Sequence, residues 1–210
     1  MKLILARHGN TFESNETPTW VGSKNDLSLT SAGIEQAKTL ALFLKKSNLK
    51  LDAIYCGPLQ RTLVYAQIIL SELASDLKPI VDFRLNEIDY GKWSGLTSSQ
   101  IQKQFGIQEF ERWEKHSIWP TTGGWGSSEK IITNETNSFA NELIQKYHSN
   151  ATTLVISSNG RLRYFLKLIP NEFEMRIKNN NFKIATGKIC TFYYENDKWQ
   201  LDSWNIDPKI

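Results

Sequence analysis

The stretch Leu3-Ile4-Leu5-Ala6-Arg7-His8-Gly9 decides the fold. A short, unbroken apolar run that ends in charged residues is typical of a parallel strand buried on both of its faces. Similar runs occupy residues 52–56 and 153–157, and a weaker one lies near residues 79–83. We therefore expect four strands at these positions.

Apolar residues recur at helical spacing between and after these strands. They predict helices after Thr30, after Pro58, and over residues 98–105, 134–147 and 161–169. Strands that alternate with helices predict an α/β fold, here a single domain over residues 1–210. We expect a three-layer αβα sandwich with a mostly parallel central sheet. Residues 189–194 and 199–204, joined by a polar turn, predict a C-terminal hairpin at an edge of that sheet.

Residues 106–133 show no regular period and carry Trp113, Trp119 and Trp125. We expect this segment to be an irregular excursion over the top of the sheet that forms a cap or lid. Packing within the loop is the simpler interpretation of its tryptophans, and a lid over a substrate is the functional one.

Composition limits the functions that the chain can have. The 25 basic and 22 acidic residues leave a formal charge of +3, and no run of Lys or Arg predicts nucleic-acid binding. Cys56 and Cys190 lie far apart in sequence, which disfavours a metal site or a disulfide framework. The apolar runs are too short for a signal peptide or a membrane span. We expect a cytoplasmic protein that needs no metal and no cofactor.

Each predicted strand is followed by side chains suited to phosphate chemistry: Arg7 and His8, then Arg61, then Glu87, and finally Ser158 and Asn159. Ligands of parallel α/β sheets bind beyond the carboxyl ends of the strands, so these residues should meet there. A guanidinium matches phosphate oxygens, a neutral imidazole can attack phosphorus, and a carboxylic acid can protonate a departing alkoxide. No GxxxxGK[ST] loop is present, which disfavours nucleotide-dependent kinase chemistry.

The segment Arg7-His8-Gly9 resembles the signature of the histidine phosphatase superfamily, which has the phosphoglycerate-mutase-like fold. Three further segments are similar to that family's and follow in the same order: residues 26–37, 58–62 and 85–95. The resemblance covers nearly the whole chain. It implies a phosphatase that hydrolyses a small phosphorylated metabolite.

The resemblance also implies a role for each site residue. His8 is the phosphoacceptor, Arg7 and Arg61 hold the phosphate, and Glu87 donates a proton to the leaving group. Ser158 stands where the family has a second histidine, and Asn159 where the family has a glycine. Loss of one such donor costs about 100–1,000-fold in rate, so the resemblance implies reduced activity.

Other interpretations of these residues stay open. Ser158 and Asn159 also suit a turn that caps the following helix. His116, in the excursion, is a candidate to replace the missing histidine.

Two other functions also remain open at this point. One is a phosphoglycerate-type mutase, which is disfavoured because residues 111–116 lack the basic pattern that mutases of the family carry there. The other is a catalytically weak module that binds a phosphorylated ligand or regulates a partner. Substrate choice should depend on the irregular segments, residues 15–24 and 106–133.

Overall fold

The computed structural model describes residues 1–209 and contains one six-stranded sheet. Its strands are β1 (Lys2–Arg7), β2 (Ala53–Cys56), β3 (Ile80–Val81), β4 (Thr152–Ser157), β5 (Ile189–Glu195) and β6 (Lys198–Ile206). The strand order is β3-β2-β4-β1-β5-β6, with parallel pairing from β3 to β1 and antiparallel pairing from β1 to β6. This confirms the predicted α/β fold, its mostly parallel sheet and its terminal hairpin at an edge.

Seven α-helices flank the sheet within the described residues. They are α1 (Ser31–Lys46), α2 (Gln60–Glu72), α3 (Ser98–Phe105), α4 (Ile107–His116), α5 (Glu129–Lys146), α6 (Asn159–Leu162) and α7 (Glu172–Lys178). No helix within residues 1–209 combines the length and the apolar character needed to cross a membrane.

Strand β1 separates two apolar cores, because successive side chains of a strand point to opposite faces. Ile4 and Ala6 pack in the core that includes α1 and α2. Leu3 and Leu5 pack in the other core, which includes Phe139 of α5. Each fully buried Leu or Ile contributes about 1.5–3 kcal/mol to stability, which explains why β1 is apolar at every central position.

The expectation of an irregular excursion over residues 106–133 is wrong for most of that segment. Residues 107–116 form α4, whose buried face is carried by Phe110 and Trp113. Helix α5 begins at Glu129 rather than near residue 134, because the Ser128 side chain accepts a hydrogen bond from the backbone N–H of Ile131. Within this segment, only Gly106 and residues 117–128 lack regular structure.

Two other elements differ from their predicted form. The helix expected over residues 161–169 is the single turn of α6 followed by a 3₁₀ helix, Arg163–Leu168. Pro170, which lacks a backbone N–H, ends this segment as expected. The strand expected near residues 79–83 is reduced to Ile80–Val81, and a 3₁₀ turn follows it at Phe83–Leu85. Because β3 is short, the segment that follows it and carries Glu87 lies close to the end of β4.

Candidate active site

A cavity of about 810 Å³ lies beyond the carboxyl ends of β1 and β4. This volume is in the range of small-molecule sites. All six residues predicted from the sequence line it: Arg7, His8, Arg61, Glu87, Ser158 and Asn159. The structure therefore brings together side chains that are up to 152 positions apart in the chain.

His8 is buried and its ring is held in one orientation. Its backbone N–H donates to the carbonyl of Ser157 at 3.1 Å, which continues the β1–β4 pairing. Its Nδ1 lies 2.8 Å from the Gly9 carbonyl oxygen. Because a carbonyl oxygen only accepts, Nδ1 carries the proton of the neutral ring and Nε2 carries the lone pair. A Cβ at Gly9 would lie 2.4 Å from the Gly33 carbonyl oxygen, so this turn against α1 requires glycine.

The surroundings of His8 lower its pKa well below the ordinary 6.5. Burial is the largest cause, and the positive charges of Arg61 and Arg7 act in the same direction. The imidazole is therefore neutral at physiological pH. A neutral imidazole with a free Nε2 lone pair is the form that can attack phosphorus.

We expect an NMR titration of ¹³C-labelled histidine to give a pKa below 6.5 for His8. Protonation begins only as the pH falls through the lowered value, so the neutral ring should persist at pH values where an exposed histidine is already charged. The His8→Ala variant assigns the resonance. A measured His8 pKa at or above the ordinary 6.5 would contradict the electrostatic account.

Two arginines supply positive charge near His8. The Arg7 Nη1 donates to the Ile184 carbonyl at 2.7 Å, and Arg61 donates to the carbonyls of Asn25 and Gly22, both at 2.9 Å. Within residues 1–209 neither guanidinium has a carboxylate within 4.0 Å. Burial lowers the pKa of both, and the nearby Glu87 carboxylate opposes that effect. Backbone carbonyls thus orient these two cations and leave their charge for an anionic ligand.

Glu87 is placed by contacts between its segment and the end of β4. The Ser157 hydroxyl donates to the Leu85 carbonyl at 2.6 Å, and the Arg161 Nε donates to the Asn86 carbonyl at 2.8 Å. The backbone N–H of Gly160 then donates to the Glu87 Oε2 at 3.3 Å. A Cβ at Gly160 would lie 2.3 Å from the Glu87 Oε1, so the carboxylate occupies the space that a side chain would need.

Ser158 and Asn159 have different environments. Ser158 is 3% exposed, and its Oγ has no hydrogen-bond partner in the described chain. It does not cap α6, which removes the local structural explanation for the hydroxyl. The Asn159 Oδ1 accepts from the backbone N–H of Ile184 at 2.8 Å. Both side chains therefore keep a donor that is available to a ligand.

Other residues line the cavity that the sequence analysis did not assign to the site. They include Asn10, Trp20, Tyr90, Glu114, Lys183 and Thr186. Glu114 and Lys183 form an ion pair at the cavity. Tertiary structure brings these additional residues to the cavity. Lys183 and Thr186, for example, lie in an irregular connection before β5.

The candidate His116 does not replace the missing histidine, because its side chain is exposed and does not line the cavity. The tryptophans of the predicted lid, Trp113, Trp119 and Trp125, pack edge to face on one another. Among residues 1–209, no group of three or more His, Cys, Asp or Glu side chains is arranged to hold a metal ion.

A neutral histidine that shares a cavity with two oriented arginines is an arrangement suited to a phosphate-handling α/β protein. The family model of the histidine phosphatase superfamily (branch 1) matches residues 3–207, and the chain belongs to that family.

Individual relatives agree with this assignment. Phosphoserine phosphatase 1 of Hydrogenobacter thermophilus is 34% identical over 165 residues, which are 78% of this chain and 73% of that protein. A 2,3-bisphosphoglycerate-dependent phosphoglycerate mutase of Bartonella quintana is 38% identical over 58% of this chain and 59% of its own. The crystal structure of a phosphoserine phosphatase from Entamoeba histolytica in complex with 3-phosphoglyceric acid superposes with a TM-score of 0.75 at 28% identity, covering 98% of this chain and 96% of that one. The predicted family and the phosphomonoesterase class of enzyme are thereby confirmed.

Proposed function

We propose that the protein hydrolyses phosphomonoesters of small metabolites through a phosphohistidine at His8. The observation that carries the proposal is the His8 ring itself. It is buried and neutral, its Nδ1 proton is engaged by Gly9, and its Nε2 is unprotonated beside Arg7 and Arg61. The relatives named above include phosphatases, which supports the same activity.

In the first step, Arg7 and Arg61 bind the phosphoryl oxygens and orient the ester. The His8 Nε2 forms a bond to phosphorus as the bond from phosphorus to the ester oxygen breaks. The carboxylic acid of Glu87 gives its proton to that oxygen, so the alcohol leaves in neutral form.

In the second step, water attacks the phosphohistidine. The Glu87 carboxylate takes a proton from the water as the P–N bond breaks, which returns His8 to its neutral form and releases inorganic phosphate. Glu87 thus ends the cycle protonated, as it began. The arginines supply the positive charge throughout, and we propose that no metal and no cofactor takes part.

Because Ser158 is uncharged, this site has less positive charge than one with a second, protonated histidine. We expect Ser158→His to raise kcat on generic phosphoesters by ~10-fold, because a charged donor in a dry site stabilises the transition state more than a hydroxyl does. Steady-state assays with several phosphoesters measure the effect.

The Ser158→His ring needs space beside Asn159, so the substitution should also be made together with Asn159→Gly. The single change Asn159→Gly is the control. It removes the bond to Ile184, whose carbonyl holds Arg7, and should lower activity. If the wild type is already fast and the double variant is no faster than Asn159→Gly alone, Ser158 and Asn159 form a complete donor set and the site is not weakened.

The mutase alternative receives no support from α4. Its basic residues pair within the helix, Arg112 with Glu109 at 3.8 Å and Lys115 with Glu111 at 2.7 Å, and neither lines the cavity. Among the described residues that line the cavity, Lys183 is the basic side chain besides Arg7, His8 and Arg61, and it is paired with Glu114. We propose a phosphatase rather than a mutase on this ground.

We further propose that the reaction takes place in the cytoplasm. Cys56 and Cys190 are both free and buried, and burial raises the pKa of each thiol to about 12. Unreactive, unpaired thiols agree with a reducing compartment.

A panel of small phosphomonoesters tests the activity. We expect release of inorganic phosphate from several of them, with one preferred substrate. Phosphoglycerates are assayed in parallel for transfer of the phosphoryl group between hydroxyls. Transfer without hydrolysis would establish a mutase, and tight phosphate binding with no turnover of any ester would establish a binding module.

A further inference from the structure

The Asn10 side chain is oriented by two other residues, and only one of its polar atoms is left for a ligand. We propose that Asn10 is a further ligand of the phosphoryl group, and that Gln36 and Thr186 are positioning residues that turn its amide toward the cavity. The proposal rests on the proposed function.

The orientation of the amide follows from a chain of hydrogen bonds. The backbone N–H of Asn10 donates to the Gln36 Oε1 at 2.8 Å, and a backbone N–H has no other role than donor. Because Oε1 of the Gln36 side chain accepts this bond, the other polar atom of that side chain is Nε2. It donates to the Asn10 Oδ1 at 3.4 Å. The Thr186 hydroxyl donates to the same Oδ1. Because the Gln36 Nε2 can only donate, it excludes the flipped orientation of the Asn10 side chain, in which Nδ2 would face it.

The remaining polar atom of the side chain is Nδ2. Within residues 1–209 it makes no hydrogen bond, whereas the Asn10 carbonyl oxygen is engaged by the N–H of Thr30 at 2.9 Å. Asn10 lines the cavity and lies two residues from His8, a reach of about 7 Å along extended chain. An amide donor with no protein partner at this distance suits an oxygen of the group that His8 attacks.

One connection, residues 184–187, orients three groups of the site. The Ile184 carbonyl accepts from Arg7, the Ile184 N–H donates to Asn159, and the Thr186 hydroxyl donates to Asn10. The backbone N–H of Gly187 also donates to the carbonyls of Arg7 and His8, both at 3.2 Å. Asn10 is therefore held by the same element that holds two predicted phosphate ligands, which is the arrangement expected of a third one.

The isosteric variant Asn10→Asp separates a ligand from a structural residue. Aspartate keeps the Oδ1 that accepts from Gln36 and Thr186, but it replaces the Nδ2 donor with an anionic oxygen. A structural Asn10 tolerates this change. A ligand does not, so we expect the affinity for vanadate and for inorganic phosphate to fall at least ~10-fold and kcat/KM to fall about 100-fold or more.

Three variants serve as controls. Asn137→Asp, on the exposed face of α5, adds the same charge and should bind vanadate as the wild type does. Thr186→Val removes the donor that orients Asn10 and should lower kcat more than it raises KM for the ester, whereas Thr186→Ser keeps the hydroxyl and should restore the rate. The comparison of Thr186→Val with Thr186→Ser tests the proposal even if Asn10→Asp fails to fold.

Vanadate binding by Asn10→Asp equal to that of Asn137→Asp would overturn the proposal, as would equal rates for Thr186→Val and Thr186→Ser. Failure of the proposed function has a different signature. In that case the wild type itself forms no phosphoenzyme, and the direct binding of phosphate and vanadate still decides the role of Asn10.

Discussion

Replacement of His8 by alanine is expected to abolish the phosphoenzyme and to lower kcat/KM on phosphomonoesters on the order of 10⁴-fold or more. The reason is that no second nucleophile lines the described cavity in an activated form. The Ser158 hydroxyl has no base bonded to it, and Cys56 and Cys190 are buried with raised pKa values. Rapid quench into base after reaction with a ³²P-labelled ester measures the adduct, which should be stable in base and lost on treatment with acid.

The matched control for this experiment is His148→Ala. That side chain is exposed and lies near Asp52, away from the cavity, so the variant should keep both the adduct and the rate. Labelled adduct that persists in His8→Ala would assign the nucleophile to another residue. Residual hydrolysis without an adduct would point to direct attack by water.

Replacement of Glu87 by glutamine should slow alkyl phosphates by about 10²–10⁴-fold and slow nitrophenyl phosphate far less. An alkoxide is a poor leaving group that needs a proton, whereas nitrophenolate leaves without one. Glutamine keeps one oxygen, which can accept from the Ile88 N–H as Oε1 does at 2.8 Å, and it loses only the longer contact of Oε2 with the Gly160 N–H at 3.3 Å. Steady-state rates on a series of esters with graded leaving-group pKa give the slope that reports the proton transfer.

The readout that decides the role of Glu87 is the change in this slope. A proton donor leaves a steeper dependence on leaving-group pKa when it is removed. An equal loss on every ester would instead make Glu87 a residue that only shapes the site. Glu111→Gln, in the partly exposed ion pair of α4, is the control for the same chemical change.

The central strands and the residues that follow them could be predicted because each carries a strong local signal. Strand β4 is buried along its whole length, and its short, continuous run of Thr, Leu, Val and Ile is typical of a parallel strand covered on both faces. Parallel pairing then requires that the residues after β1 and β4 meet, which is why His8 and Ser158 could be placed together without a structure.

Residues that reach the site through tertiary contacts alone could not be predicted. Thr186 belongs to a connection with no regular pattern, and its neighbour Asn10 becomes a candidate ligand only once the bonds to Gln36 are known. Helix α4 was missed for a related reason. Its ten residues expose most of their surface and bury only Phe110 and Trp113, too few to mark a period in sequence.

The strand order also decides when the protein can fold. Strand β1 lies between β4 and β5, and Lys2 pairs with Thr152, 150 residues further along the chain. At a synthesis rate of roughly 5–20 residues per second, β1 leaves the ribosome about 7–30 s before its first parallel partner exists. The apolar run Leu3-Ile4-Leu5-Ala6 therefore remains unpaired for that time. An unpaired apolar strand is a suitable binding site for a chaperone. The strand that precedes His8 is among the first parts of the chain to be made and among the last to find its place.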